Sequence, residues 1–209
     1  MDFDSWEPTY LKILADFGFS RKGDERAALI LSKMLEKERD ETDGILALAN
    51  LIYGKDILVC GNALILADEL DMIDTDDYVI ITADGATAVL FDRGVVPDII
   101  VTDLDGDVEK EIAANKKGAI VVVHAHGDNV DKVKKYVPRL RDVIGSTQAA
   151  PLDNVYNFGG FTDGDRCVYL AKEFGAASIT LVGFDFNDVN VSDMKKKKLK
   201  WAKLLIDAI

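Results

Sequence analysis

Cysteine, histidine and proline are scarce: two, two and four in 209 residues. Cys60 and Cys167 have no metal-like spacing between them, so both read as reduced core residues rather than redox or metal groups. No apolar run reaches membrane-spanning length, and Met1-Asp2-Phe3-Asp4 lacks the basic start of a signal peptide. A cytoplasmic protein without a membrane partner is expected. Basic residues are in the minority, 25 against 37 acidic ones, which argues against a general nucleic-acid surface and for a protein that recruits cations. Internal repeats and low-complexity tracts are missing too. So are G-x-G-x-x-G and the Walker-type G-x-x-x-x-G-K-[ST], which lowers the expectation of dinucleotide cofactors and P-loop chemistry.

What is present is a chain that is 48% hydrophobic, enough to bury a full core. Residues 1–54 carry helical periodicity and no convincing strand, and are expected to form a helical region. Pro8 is placed for a first helical turn, Tyr10, Leu11, Ile13, Leu14 and Phe17 supply an apolar face, and Gly18 stops the helix. A second helix is predicted over 24–38, with residues 36–41 as its solvated end, and a third over 43–53, after Thr42 as cap and before Gly54. Trp6 reads as core or staple. From residue 55 to 209 the pattern alternates between strands, predicted at 57–60, 78–82, 99–101, 119–124, 155–158 and 179–184, and helices. This is the α/β pattern of a doubly wound, mostly parallel, Rossmann-like sheet carrying an N-terminal helical prefix. A last helix over 194–209 places Leu199, Ala202, Leu205, Ile206 and Ile209 on one face, and its lysines on a solvated one.

The chemistry gathers after the strands. Asp84, in Ala83-Asp84-Gly85, and Asp103, Asp105 and Asp107, in Thr102-Asp103-Leu104-Asp105-Gly106-Asp107, follow two apolar runs. Open α/β sheets bind ligands beyond the carboxyl ends of their strands. A single Asp after a strand is commonly a helix cap, but one helix needs one cap, and here three occur within five residues. Clustered carboxylates at one edge repel unless a cation joins them, and oxygen-only ligands with phosphate suit Mg²⁺. Gly61-Asn62 forms a sharp turn after the first strand, where a phosphate can approach the backbone.

His124-Ala125-His126-Gly127-Asp128-Asn129 ends the fourth strand. Its two histidines are expected to point in opposite directions and not to chelate one metal together; contact with phosphate or acid-base assistance fits them better. Gly159-Gly160-Phe161-Thr162-Asp163-Gly164-Asp165-Arg166 follows the fifth predicted strand. Gly160 permits close backbone approach, Thr162 or Asp163 can cap the next helix, and Arg166 can meet anionic oxygens. Asp185 and Asp188 could extend the acidic edge.

The segments ADGA, PDIIVTDLDGD, HAHGDN and FGGFTDGDR, in this order, resemble the archaeal 6-hydroxymethyl-7,8-dihydropterin pyrophosphokinases of the MptE type, distant relatives of thiamine pyrophosphokinases. The resemblance implies transfer of the terminal diphosphate of ATP to the hydroxymethyl group of a reduced pterin, with AMP released, ATP as co-substrate and Mg²⁺ required. It implies Asp84, Asp103 and Asp105, with Asp107 beside them, as holders of Mg²⁺ on the triphosphate. His124, His126, Asp128 and Asn129 would flank the phosphates, with Gly61, Asn62 and Gly85 nearby. Gly160, Thr162, Asp163, Asp165 and Arg166 would close the nucleotide or pterin side. His126 or an aspartate would accept the hydroxymethyl proton. Related kinases are often dimers, so a homodimer is a further expectation. The thiamine enzymes carry Ser where this chain has Gly106, which favours the pterin.

Other readings share these residues. A thiamine pyrophosphokinase would keep the mechanism. A DxDG-type phosphatase would use Asp103 as covalent nucleophile, although Asp107 replaces the usual Thr or Val. A DxD glycosyltransferase or a non-enzymatic nucleotide sensor would place the same carboxylates on a nucleotide.

Overall fold

A computed structural model describes residues 1–36 and 41–209. Seven strands form one all-parallel sheet in the order β6-β5-β4-β3-β2-β1-β7. They are β1 (Asp56–Cys60), β2 (Val79–Ala83), β3 (Ile99–Thr102), β4 (Ile120–Ala125), β5 (Val143–Thr147), β6 (Val155–Tyr156) and β7 (Ser178–Val182). Their apolar runs are continuous because both faces are covered. Cys60 pairs with Thr82, Thr82 with Ile100 and Ile100 with Val121, so one parity of residues faces each side.

One face packs on α4 (Leu66–Leu70), α5 (Ala86–Asp92), α6 (Val108–Lys116) and α7 (Val130–Tyr136), the crossovers that join β1 through β5. Ala27, Ala28 and Leu31 of α2 (Arg21–Leu35) complete that layer beside Val121, Val123 and Val155. The other face packs on α8 (Asp163–Glu173) and on Leu48 and Ile52 of α3 (Glu41–Ile52). Burying each such side chain contributes about 1.5–3 kcal/mol. Because α8 crosses on the opposite face, β7 lies outside β1. The sheet therefore has its topological switch point between β1 and β7, where open α/β sheets form a crevice.

The N-terminal helices start earlier than their periodicity suggests. Asp2 caps α1 (Phe3–Phe17) by accepting from Ser5 N at 3.1 Å, which leaves Pro8 inside the helix rather than in its first turn. Gly18, at φ +69, ends it as expected. Ser20 caps α2, so Asp24 falls inside that helix, and residues 37–40 of the solvated end expected over 36–41 lie outside the described residues. The third helix begins at Glu41, ahead of the Thr42 expected to cap it. Trp6 is core: 3% exposed, with its indole N–H on Gln148 O at 3.0 Å. Both cysteines are free and buried, and burial pushes the Cys60 thiol up to about 12. At the other end, α9 (Asp193–Asp207) docks by Ala202 and Leu205.

β5 has no counterpart among the six predicted strands. Its Gly145 and Ser146 interrupt the apolar run, and the glycine lies in a tight place, where a Cβ would be 2.9 Å from Leu35 Cδ1 of the overlying α2 and 3.1 Å from Asn154 O. The predicted strand at 155–158 shrinks to two residues. No helix among the described residues is long and apolar enough to cross a membrane.

Candidate active site

The loops leaving the carboxyl ends of the strands enclose a cavity of about 850 Å³. Asp84, Gly85, Asp103, Asp105, His126 and Asp128 line it, joined by Gly61 and Asn62 from the β1 loop and by Thr162, Asp163 and Arg166 from the β6 to α8 connection. Asp185 and Asp188 lie on the same wall. Asp107, His124, Asn129, Gly160 and Asp165 are not on its lining and stand behind or beside it.

The D-L-D pattern after β3 is a turn that alternates between cavity and core. Leu104 adopts φ +64 and is 1% exposed, so it dives into the core while Asp103 and Asp105 face the cavity. That left-handed conformation is unfavourable for a branched side chain and is held by Leu104 N donating to Thr102 Oγ1 at 2.8 Å. Asp84, at φ +31, accepts from the Thr102 hydroxyl at 2.9 Å and from Gly106 N at 3.0 Å. A Cβ on Gly106 would lie 2.7 Å from Asp84 Oδ2, so a serine there would displace the carboxylate. In the same way, a Cβ on Gly85 would lie 2.3 Å from Asn62 Nδ2, and one on Gly61 would lie 2.6 Å from Gly183 O.

Behind Asp84 stands Glu111 of α6, 1% exposed and 3.1 Å from Thr102 Oγ1. Burial, then the Asp84 charge, push its carboxyl up to about 9. It is therefore neutral at pH 7 and can donate to Thr102, which in turn donates to Asp84.

Asp103 Oδ2 pairs with His126 Nε2 at 3.2 Å. Burial opposes charge on Asp103, but the His126 bond and the nearby positive charge of His126, Arg166 and Lys132 outweigh it, holding the carboxyl below its usual range. Its Oδ1 is buried and has no hydrogen-bond partner among the described residues. His126 Nδ1 accepts from Asp128 N at 3.4 Å, which leaves Nε2 as the donor when the ring is neutral. Asn129 fixes this loop by accepting from His126 N at 3.0 Å and donating to the carbonyls of Asp103 and His124 at 2.9 and 2.7 Å. His124 is buried against Ser146 Oγ at 3.2 Å, and burial, then the Arg166 charge, depress its pKa well below the ordinary value. The two histidines do not diverge as expected. Residues two apart in a strand share a face, and the rings lie 6.0 Å apart, tilted by 32°.

Asp105 is the most exposed of the group, its side chain 67% accessible and paired with Lys132. Asp107 caps α6, accepting from Lys110 N at 3.4 Å. Asp165 is also an inward cap, accepting from Phe161 N and Thr162 N at 2.5 and 2.8 Å and from the Thr162 hydroxyl. Gly160, at φ +85, lets the chain pass Arg166, where a Cβ would lie 2.8 Å from its Cα. Arg166 donates to Asp163 Oδ1 at 3.3 Å and to Gln148 Oε1 at 3.2 Å. Burial, then the Asp103 charge, push Asp163 up to about 8 against the pull of Arg166. Among the described residues, no three histidine, cysteine or carboxylate side chains form a ready-made metal cage.

Sequence reasoning missed Asp24, Gln148 and Glu111. Asp24, 3% exposed, accepts from Tyr10 Oη and Gln148 Nε2 at 2.8 Å each and from Gly127 N at 2.9 Å. Both Asp24 and Gln148 line the cavity. The available signal for Glu111 was its position one helical turn after Asp107, and for Asp24 a carboxylate within an apolar-faced helix.

Fold and cavity define the class first: a doubly wound α/β protein with its cavity at the carboxyl edge of the sheet. The chain belongs to the MptE-like family, described as "6-hydroxymethylpterin diphosphokinase MptE-like", which matches residues 32–191. Three curated relatives carry the name 6-hydroxymethyl-7,8-dihydropterin pyrophosphokinase. Those from Methanocaldococcus jannaschii and Methanothermobacter thermautotrophicus are each 41% identical, over 99% of this chain and 95% and 94% of their own lengths. The one from Pyrococcus furiosus is 40% identical, over 99% of this chain and 94% of its own.

Proposed function

We propose that this chain is a cytoplasmic pyrophosphokinase that transfers diphosphate from ATP to the hydroxymethyl group of 6-hydroxymethyl-7,8-dihydropterin and releases AMP. The carrying observation is that Asp84, Asp103, Asp105 and His126 line one cavity in a chain 40–41% identical to relatives of that name. Thiamine is the acceptor to compare.

The residues fit Mg²⁺. Asp103 offers a buried oxygen with no hydrogen-bond partner among the described residues, and the neighbouring donors Asp84 and Asp105 are oxygen donors as well. Asp84, Asp103 and Asp105 would hold the ion together with phosphate oxygens, a common arrangement for Mg²⁺. Asp107, as a helix cap, stays outside the set. When bound, the ion would neutralise charge developing on the transferred group.

The hydroxymethyl oxygen attacks the β-phosphorus of ATP, and the bond from that phosphorus to the oxygen bridging it to the α-phosphorus breaks. AMP leaves with that bridging oxygen. The hydroxyl proton passes to His126 or to an aspartate of the cavity wall. Arg166, fixed by Asp163 and Gln148, presents positive charge to the transferred oxygens. Positioning and charge neutralisation supply most of the rate in phosphoryl-group transfer, so no covalent enzyme intermediate is needed.

The test is AMP release from ATP and Mg²⁺ with the dihydropterin, with thiamine and with no acceptor, using wild type and Asp103→Asn. Pterin-dependent AMP that falls in the variant is expected. Thiamine-dependent AMP alone would change the acceptor, and an aspartyl-phosphate at Asp103 would make the chain a phosphatase.

A further inference from the structure

The cavity has two ends, set by strand order. One end is built by the α1 to α2 turn and the loops after β4, β5 and β6; the other by the loops after β1 and β7, while α9 spans both, its Trp201 donating to Asp16 of α1 at 2.8 Å. The carboxylates after β2 and β3 lie between them. A diphosphate transfer needs its two substrates on opposite sides of the transferred group, so each end should receive one.

The two ends differ in chemistry. At the first, Phe19 and Phe161 line the cavity, and Phe17 backs them at ring-centroid distances of 5.3 and 4.9 Å. Asp24 is the buried carboxylate beside these rings, with Tyr10 behind it and Gln148 at its side. Asp24 Oδ1 accepts one backbone hydrogen bond and Oδ2 accepts two, which leaves acceptor capacity on Oδ1. Aromatic walls with a buried carboxylate suit a flat heterocycle whose edge carries N–H donors. The aminopyrimidinone edge of a pterin presents adjacent N–H donors, whereas adenine alternates donor and acceptors. The second end is the switch-point crevice of the sheet, the usual place for a nucleotide in open α/β folds, and Asn62 and Leu64 of the β1 loop line it.

We infer that the end formed by Phe19, Phe161 and Asp24 is the acceptor-ring subsite, with Asp24 reading the N–H edge of the pterin, and that the β1/β7 end takes the nucleotide. This rests on the pyrophosphokinase reading above.

The test measures KM for each substrate and calorimetric binding of the dihydropterin without ATP, in wild type, Phe19→Ala, Asp24→Asn and Asn62→Ala. Loss of aromatic stacking in Phe19→Ala should raise the pterin KM about threefold to tenfold. Loss of the charged acceptor in Asp24→Asn should raise it about tenfold to a hundredfold. The ATP KM should stay within about twofold in both, and Asn62→Ala should show the reverse split. Asp24 also holds Tyr10 and Gln148, so melting temperature is recorded, and Phe19→Ala carries the argument if Asp24→Asn unfolds. A rise in ATP KM with an unchanged pterin KM in Phe19→Ala would reverse the assignment; no change in either would remove this end as a substrate site. Wild type that binds the pterin in a Phe19-dependent way but releases no AMP would leave the subsite standing and overturn the kinase reading. No pterin binding in wild type would overturn both.

Discussion

The inner and outer halves of the acidic edge share one residue type and differ in everything around it. Asp84 and Asp103 sit in a network of hydroxyl, imidazole and backbone donors, with the Asp103 side chain 22% exposed. Asp105 and Asp107, at 67% and 46%, meet solvent, a lysine and a helix terminus. A charge held by preorganised partners in a partly dry site acts more strongly than one screened by water. The halves should therefore differ in function, although Asp103, Asp105 and Asp107 belong to one motif in the sequence.

The comparison breaks most visibly at Asp84. Asp84→Asn keeps an oxygen for Thr102 and Gly106 N but removes the charge, and kcat for AMP release should fall by about a thousandfold at unchanged melting temperature. Glu111→Gln sharpens the account of the inner half. A carboxyl raised from 4.5 to about 9 in the fold binds a proton that the unfolded chain has released, so its contribution to stability declines as pH rises through that window. The slope is at most about 1.4 kcal/mol per pH unit, and chemical denaturation across pH 5 to 8 should show it reduced in Glu111→Gln. In the outer half, Asp105→Ala should lower kcat/KM for ATP by about tenfold to a hundredfold, read from initial rates. Asp107→Ala should cost about 1 kcal/mol of stability through the lost cap and leave kcat within twofold. If Asp107→Ala were as damaging to kcat as Asp84→Asn, the division into halves would fail.

The sequence made the carboxyl edge readable where it is local. Apolar runs ending in Asp or Gly located β2, β3 and β4 and the residues just beyond them, because a buried parallel strand writes itself as a continuous run. β5 was illegible for the same reason: Gly145 and Ser146 break its apolar run, and the side chains packed over Gly145 include Leu35 of α2, more than a hundred residues away. Asp24 and Gln148 are legible only as a pair, and they are separated by 124 positions. Glu111 shows the limit on charge, since a buried neutral glutamate and a solvated one are spelled alike. The histidines failed through geometry: a two-residue step returns to the same side of a strand.

The ties from Trp6 to Gln148, Asp24 to Gly127 and Asp24 to Gln148 span 142, 103 and 124 residues. Contacts so distant along the chain form only after the entropy of closing very long loops has been overcome, and they slow folding. Residues 6–24 are synthesised well before residues 127–148, and until those emerge Trp6 lacks its bond to Gln148 and Asp24 its bonds to Gly127 and Gln148. The wall of the cavity that is made first is thus completed only by residues made much later.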